Sequence, residues 1–273
     1  MVAANAPVAA VFCKYPRKWW LIGRWDLATG RFEAGAWFHG TLYPRRSDLS
    51  PNGELLAYFA LKSSAGEFVG QTGVKTFTAV SKLPWLFALA AWRESGTWTR
   101  GHHFVEGQPS DIGSPDAGEA PAVFSRFQYG LVRTPVLQYS VEQRRGWIEH
   151  EDCPPRKPRD LWDETRNVIL AKDRPRGRGR LILTGYPLAF NGTTIEGRRA
   201  TFRFEDRRRT VDLPDAAWAD WDGLGRLLVA TKTGQLQIRE GTLFKTTVVC
   251  DLRGLHLRRR RAPDWARTWG QSG

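Results

Sequence analysis

The sequence predicts an all-β fold assembled from repeated four-stranded units, and three observations predict it. The apolar runs are short, rich in Trp, Val, Leu and Phe, and bounded by Gly, Pro, Asn or Asp, which is the pattern of strands and not of helices. Turn-forming residues stand between those runs. One ten-residue segment recurs without a gap far along the chain.

The runs read as strands are Trp19–Arg24, Leu55–Leu61, Phe87–Trp92, Val136–Val141, Leu181–Leu183, Leu227–Ala230 and Thr246–Cys250. Between them lie Ala28-Thr29-Gly30, Pro51-Asn52-Gly53, Asn191-Gly192, and Asp222-Gly223 with Gly225. Gly and Asn tolerate the positive φ that tight hairpins need.

The recurrence sets Asp48-Leu49-Ser50-Pro51-Asn52-Gly53-Glu54-Leu55-Leu56-Ala57 over Asp220-Trp221-Asp222-Gly223-Leu224-Gly225-Arg226-Leu227-Leu228-Val229. Asp falls on Asp, Gly on Gly and the Leu pair on the Leu pair, 172 residues apart, which is four times 43. Weaker copies are Trp92–Gly96 and Gly179–Leu183. A unit of about 43 residues with four strands is the signature of a β-propeller. The length then fits five or six four-stranded blades, some degenerate, in a single domain over residues 1–273. An all-β sandwich or barrel is the competing architecture. In each blade the turn at Gly53 or Gly225 reverses the chain, and Asp48 or Asp220 is expected to brace the corner by hydrogen bonds to turn amides.

Arg46–Tyr58 resembles the strand–turn–strand element D-x-S-P-D-G-x-x-L-A-Y of TolB-type and WD-repeat propellers, with Asn52 in place of the usual Asp. Trp25-Asp26-Leu27-Ala28-Thr29-Gly30-Arg31 is similar to their W-D-x-x-T-G-x element. The resemblance implies blades of the propeller kind and a scaffold role, and it covers about 40 of the 273 residues. Residues 106–120, rich in Gly, Pro, Ser and acid, and 151–159 are expected to be long loops. The tail from 258 to 273 is basic and aromatic. Within it Pro263–Trp269 reads as a short helix with Trp265 and Trp269 on one face.

Charge is the second unusual feature. Lys and Arg number 41 against 28 Asp and Glu, for a net +13, and the chain holds 13 Trp. Such a balance favours a polyanionic or acidic partner. Cys13, Cys153 and Cys250 are too sparse for a disulfide framework and fit a reducing compartment. The first 16 residues carry no positive side chain ahead of their short apolar run. No signal peptide or membrane span is expected, and the expected location is cytoplasmic.

Catalytic motifs are not apparent. No G-x-S-x-G elbow occurs. Gly70–Thr76 departs from a phosphate loop because Val74 stands where Gly must precede the Lys. Asp220–Gly223 lacks the distal Glu of a calcium loop. His102-His103 and His150–Cys153 lack zinc-type spacing and are expected to be exposed loop residues. Glu149, Glu151 and Asp152 offer carboxylates for glycoside hydrolysis, with no opposing cluster. No cofactor and no metal are expected, and no catalytic residue is assigned.

Three basic clusters remain. Lys172–Arg180 contributes Arg174, Arg176, Arg178 and Arg180. A second is Arg207-Arg208-Arg209, and the third ends in Arg258-Arg259-Arg260-Arg261. These are the expected partner- or anion-binding residues. Three functions follow in order. The first is a non-enzymatic scaffold subunit holding a protein partner, an acidic one included, in a larger complex. Next is a nucleic-acid-associated subunit contacting phosphate through the arginines. Last comes a carbohydrate-binding or glycoside-hydrolase propeller. Base stacking needs aromatic residues beside the arginines, and Trp265 and Trp269 are the ones near a run in sequence.

Overall fold

Hydrophobic alternation and punctuating turns make strands the main regular structure among the described residues. The computed structural model describes residues 1–62, 76–97, 101–105, 130–133, 140–155, 167–185, 200–241, 245–258 and 260–268. Gly70–Lys75, residues 106–120, Asn191-Gly192, Arg259 and Trp269 lie outside them. Two compact units emerge, Met1–Thr134 with Leu257–Gly273, and Pro135–His256.

The first unit begins with an antiparallel sheet of β1 (Val8–Lys14), β2 (Trp19–Asp26) and β3 (Phe32–His39), extended by a bridge from Val2 to Ala9. In the next sheet β4 (Thr41–Leu42) and β5 (Asp48–Leu49) both pair with β6 (Leu55–Leu61), followed by β7 (Thr76–Lys82) and β8 (Ala90–Arg93). A two-stranded ladder joins β9 (His102–Phe104) to β10 (Leu131–Arg133). The first two sheets share a core in which Trp20, Ile22, Leu56, Tyr58 and Phe77 are buried.

The second unit opens with α1 (Ser140–Arg144). Its first sheet runs in the order β11 (Ile148–Glu149), β12 (Val168–Asp173), β13 (Arg180–Gly185), β14 (Thr201–Asp206) and β15 (Arg209–Asp212). A four-stranded meander follows, of β16 (Ala216–Trp221), β17 (Leu227–Thr231), β18 (Gln235–Glu240) and β19 (Lys245–Asp251). Leu170, Leu181 and Phe204 of one sheet pack on Trp221, Leu227 and Val229 of the other. The Phe204 and Trp221 rings meet edge-on with centroids 6.1 Å apart. One such sheet cannot bury its own apolar faces, so the two stack.

The protein is therefore all-β with blade-like antiparallel meanders, and its few helices are short. Among the described residues there are four such sheets and not the five or six expected. The physical reason is uneven spacing. The second sheet adds β4 and a 3₁₀ turn at Pro44–Arg46, and the third adds α1 and β11. Residues 63–75 and 186–199 also stand between paired strands of one sheet. A 43-residue unit does not tile such a chain.

The recurring segment does occupy equivalent places, the hairpins β5–β6 and β16–β17. In one, Ser50 N donates to Leu55 O at 2.9 Å, and in the other Asp222 N donates to Arg226 O at 3.1 Å. Gly53 and Gly225 hold φ of +75° and +76°, where a side chain is strained. The second hairpin is one residue tighter: Leu49 stands opposite Leu56, but Trp221 stands opposite Leu227. The tail forms one helical turn, α2 (Asp264–Arg267).

Candidate functional site

The turn chemistry decides which arginines are free. β12 and β14 end, and β13 and β15 begin, at the same end of one sheet. Asp173 lies opposite Arg180, Arg180 opposite Glu205, and Asp206 opposite Arg209. The hairpins carrying Arg174–Arg180 and Arg207–Arg209 are thus neighbours, although 27 residues separate Arg180 from Arg207 in sequence.

Three of these arginines are engaged in the fold. Arg174 Nε donates to Gly225 O at 2.7 Å, and its guanidinium lies 5.5 Å from the Trp221 ring centroid. Arg180 makes two hydrogen bonds to Glu151, one of them at 2.9 Å, and donates to Glu205 Oε1 at 3.0 Å. The bond from Arg180 holds the exposed Glu151 carboxyl down to about 2, and the same bond raises the Arg180 pKa. Arg209 pairs with Asp206 at 3.6 Å and lies over Phe204. Asp206 Oδ1 in turn accepts from the backbone of Arg208 and Arg209, which closes that turn.

Arg176, Arg178, Arg207 and Arg208 are exposed and make no ion pair with a described residue. Four guanidinium groups therefore leave two adjacent hairpins at one end of one sheet. That surface can hold several anionic oxygens through charge-assisted, bidentate hydrogen bonds.

The blade-turn aspartates bond away from their own turns. Asp48 Oδ2 accepts from Phe104 N at 3.0 Å, tying β5 to β9. Asp220 Oδ1 accepts from Trp221 N at 2.8 Å and receives Lys172 Nζ at 2.6 Å. The turn amides are served by Asn52, whose Oδ1 accepts from Glu54 N, and by Asp222, which accepts from Leu224 N and Arg226 N.

In the first unit Arg258, Arg260 and Arg261 are exposed. Arg258 and Arg260, with Lys62, line a cleft of about 400 Å³ whose other walls include Trp19, Trp37, Phe38 and His39. The β2–β3 register sets Trp19 opposite His39 and Leu21 opposite Trp37, so Trp19, Trp37 and His39 share a face. Trp20 turns to the core instead. Trp19 packs at a tilt against His39 and Trp37 against Tyr15, each pair with centroids 4.8 Å apart. No carboxylate lines the cleft among the described residues. Among the described residues, the aromatic side chains that share the cleft with Arg258 and Arg260 thus include Trp19 and Trp37. Their signal in the sequence is the pair of aromatic clusters Trp19-Trp20 and Trp37-Phe38-His39 on two paired strands.

The histidines expected on exposed loops are buried. His102 and His103 lie in β9. His102 Nδ1 is 3.3 Å from Thr78 Oγ1, which donates to Glu94 Oε1 at 2.6 Å. His150 is buried with Nε2 3.0 Å from Glu205. Their sequence neighbours are polar, but strand pairing and the Glu205 contact carry them inward. Asp222 binds Arg226 Nε at 2.6 Å, and no group of three or more metal-ligating residues gathers among the described residues. Nor is any described helix long and apolar enough to cross a membrane.

No protein-family model matches the chain, and no curated protein matches it. The class that can be stated is that of the fold: an all-β chain of four blade-like sheets among the described residues, bearing arginine-rich hairpins.

Proposed function

We propose that the protein is a non-enzymatic binding module that contacts the phosphates of a nucleic acid through arginines on adjacent hairpins. The observation that carries this is the separation of the arginines by role. Arg174, Arg180 and Arg209 are held by carbonyls, carboxylates and rings, while Arg176, Arg178, Arg207 and Arg208 face solvent from the same two turns. Free guanidinium forks match phosphate geometry, and a row of them supplies sequence-independent affinity.

An acidic protein would satisfy the same charges. The cleft of Trp19 and Trp37 beside Lys62, Arg258 and Arg260 favours nucleic acid, because carboxylate side chains have no use for half-buried indole faces. Glu151 is poorly suited to act as the general acid of a glycosidase, since Arg180 keeps it ionised.

The test is binding of a generic single-stranded DNA as a function of salt. Affinity is expected to fall steeply as salt rises, by about 0.7 in log–log slope per phosphate contacted. Replacing Arg176, Arg178, Arg207 and Arg208 together by Ala should flatten that slope, and polyglutamate should compete poorly. No binding at low salt, or polyglutamate binding as tightly as DNA, overturns the proposal.

A further inference from the structure

The cleft in the first unit has a composition that the phosphate-binding reading does not require. Trp19 and Trp37 are only partly buried and stand on β2 and β3, each steadied by a second ring at 4.8 Å. Three cations, Lys62, Arg258 and Arg260, complete the walls, with no opposing carboxylate among the described residues. Arg17 and Lys18, exposed in the β1–β2 turn immediately before Trp19, extend the positive field.

Each feature narrows the ligand. Two indole faces select something flat and apolar on its faces. The cations require that it carry negative charge. A neutral sugar would also stack on Trp, but it carries no negative charge to pair with the three cations of the lining. An acidic peptide would use the cations and leave the indoles unfilled. Base pairs within a duplex hide their faces from any side chain. The volume of about 400 Å³ lies near the lower end of the roughly 300–1,000 Å³ range of ligand pockets, which suits one small ring system with its phosphate and not a long stack.

We infer that this cleft takes an unpaired nucleobase, stacked against Trp19 or Trp37, while Lys62, Arg258 and Arg260 hold the adjoining phosphate. This inference rests on the nucleic-acid reading above and makes it specific: the ligand is single-stranded, and it is read by shape and charge without base-edge hydrogen bonds. Aromatic platforms beside a basic groove bind single strands in this sequence-tolerant way.

The test compares three labelled probes of about 12 nucleotides, a length that spans the roughly 4–16 nucleotide sites of such surfaces. They are oligothymidylate, an abasic strand with the same phosphates, and a duplex. Oligothymidylate should bind at least about tenfold tighter than the abasic strand, the size of one lost base–aromatic stack. Trp19→Ala and Trp37→Ala should each reduce that margin without changing the salt slope. Arg258→Ser with Arg260→Ser should lower the slope and keep part of the margin. Equal binding of the thymidylate and abasic strands by the unaltered protein overturns the inference, and that comparison needs no variant. The two readings fail separately. If the abasic strand binds, loses affinity on removal of Arg176, Arg178, Arg207 and Arg208, and equals the thymidylate, the phosphate surface stands and the base cleft falls. If the base margin persists and those four changes have no effect, the reverse holds. Binding of no strand removes both.

Discussion

Arg174 reaches from one hairpin to the next, its Nε donating to the Gly225 carbonyl at 2.7 Å while its guanidinium covers Trp221. The side chain therefore belongs to the packing between two sheets of the second unit, in contrast to its neighbour Arg178. Arg174→Ala is expected to cost about 1–3 kcal/mol, the worth of a hydrogen bond from a charged donor plus lost packing. Arg178→Ala should stay within about 0.5 kcal/mol, as surface changes do, while weakening nucleic-acid binding. Urea denaturation read beside a binding titration checks both, and equal stability loss in the two variants would contradict the division of roles.

The hairpin that carries Arg174 also makes Gly225 unusually intolerant. Its φ is +76°, and a Cβ there would run into the carbonyl oxygen of Pro175, which is backbone and cannot swing away. Gly30 has nearly the same φ, +75°, with nothing close to its missing Cβ. Gly30→Ala should thus carry only the left-handed penalty of about 1–2 kcal/mol. Gly225→Ala should carry that and a steric cost besides. Thermal unfolding of the two variants should show the larger drop for Gly225→Ala.

Lys172 and Asp220 form a close pair at 2.6 Å, with the Asp220 side chain only 5% exposed. Removing the lysine strands a buried carboxylate. Lys172→Met is expected to destabilise the protein by about 3–5 kcal/mol. Adding Asp220→Asn should restore part of the loss, because the amide needs no counter-charge. Denaturant midpoints of the single and double variants form the check, and no recovery in the double would argue against an electrostatic cause.

Acid sensitivity follows from Glu151. Hydrogen bonding to Arg180 depresses its carboxyl from 4.5 to about 2 in the folded protein. A depressed folded pKa means that the pair's stabilisation is present above the unfolded value. It fades as pH falls from about 4.5 towards 2. A carboxyl-detected NMR titration should place Glu151 well below ordinary glutamates. In Arg180→Ala its titration should return towards 4.5.

What the sequence revealed was local. The Leu55-Leu56 and Leu227-Leu228 pairs and the glycines before them mark real hairpins, because turn chemistry acts over a few residues. The arginine clusters were visible as charge, but their roles were not. Whether Arg174 is anchored depends on Gly225, 51 residues on, and Arg180 on Glu151, 29 residues back. The cleft was less visible still, since Arg258 joins Trp19 in lining it only after the chain has left the first unit and returned. Blade number failed for a related reason: a period read from two good copies assumes equal spacing between them, and the inner sheets are longer.

That return has its own consequence. Residues 135–256 make a unit whose two ends are both stitched to the other unit in the chain, so the second unit is topologically an insertion within the first. The returning segment is pinned where it lands: Lys82 Nζ donates to Trp265 O at 2.9 Å, Ala266 is fully buried, and Arg267 lies over Phe87. During synthesis the inserted unit emerges whole before the first unit receives its last piece. The aromatic cleft, although most of its wall is made from the first 62 residues, is finished only when Arg258 and Arg260 arrive. A chain stopped short of them would still hold every described strand of both units and would lack this site's arginines.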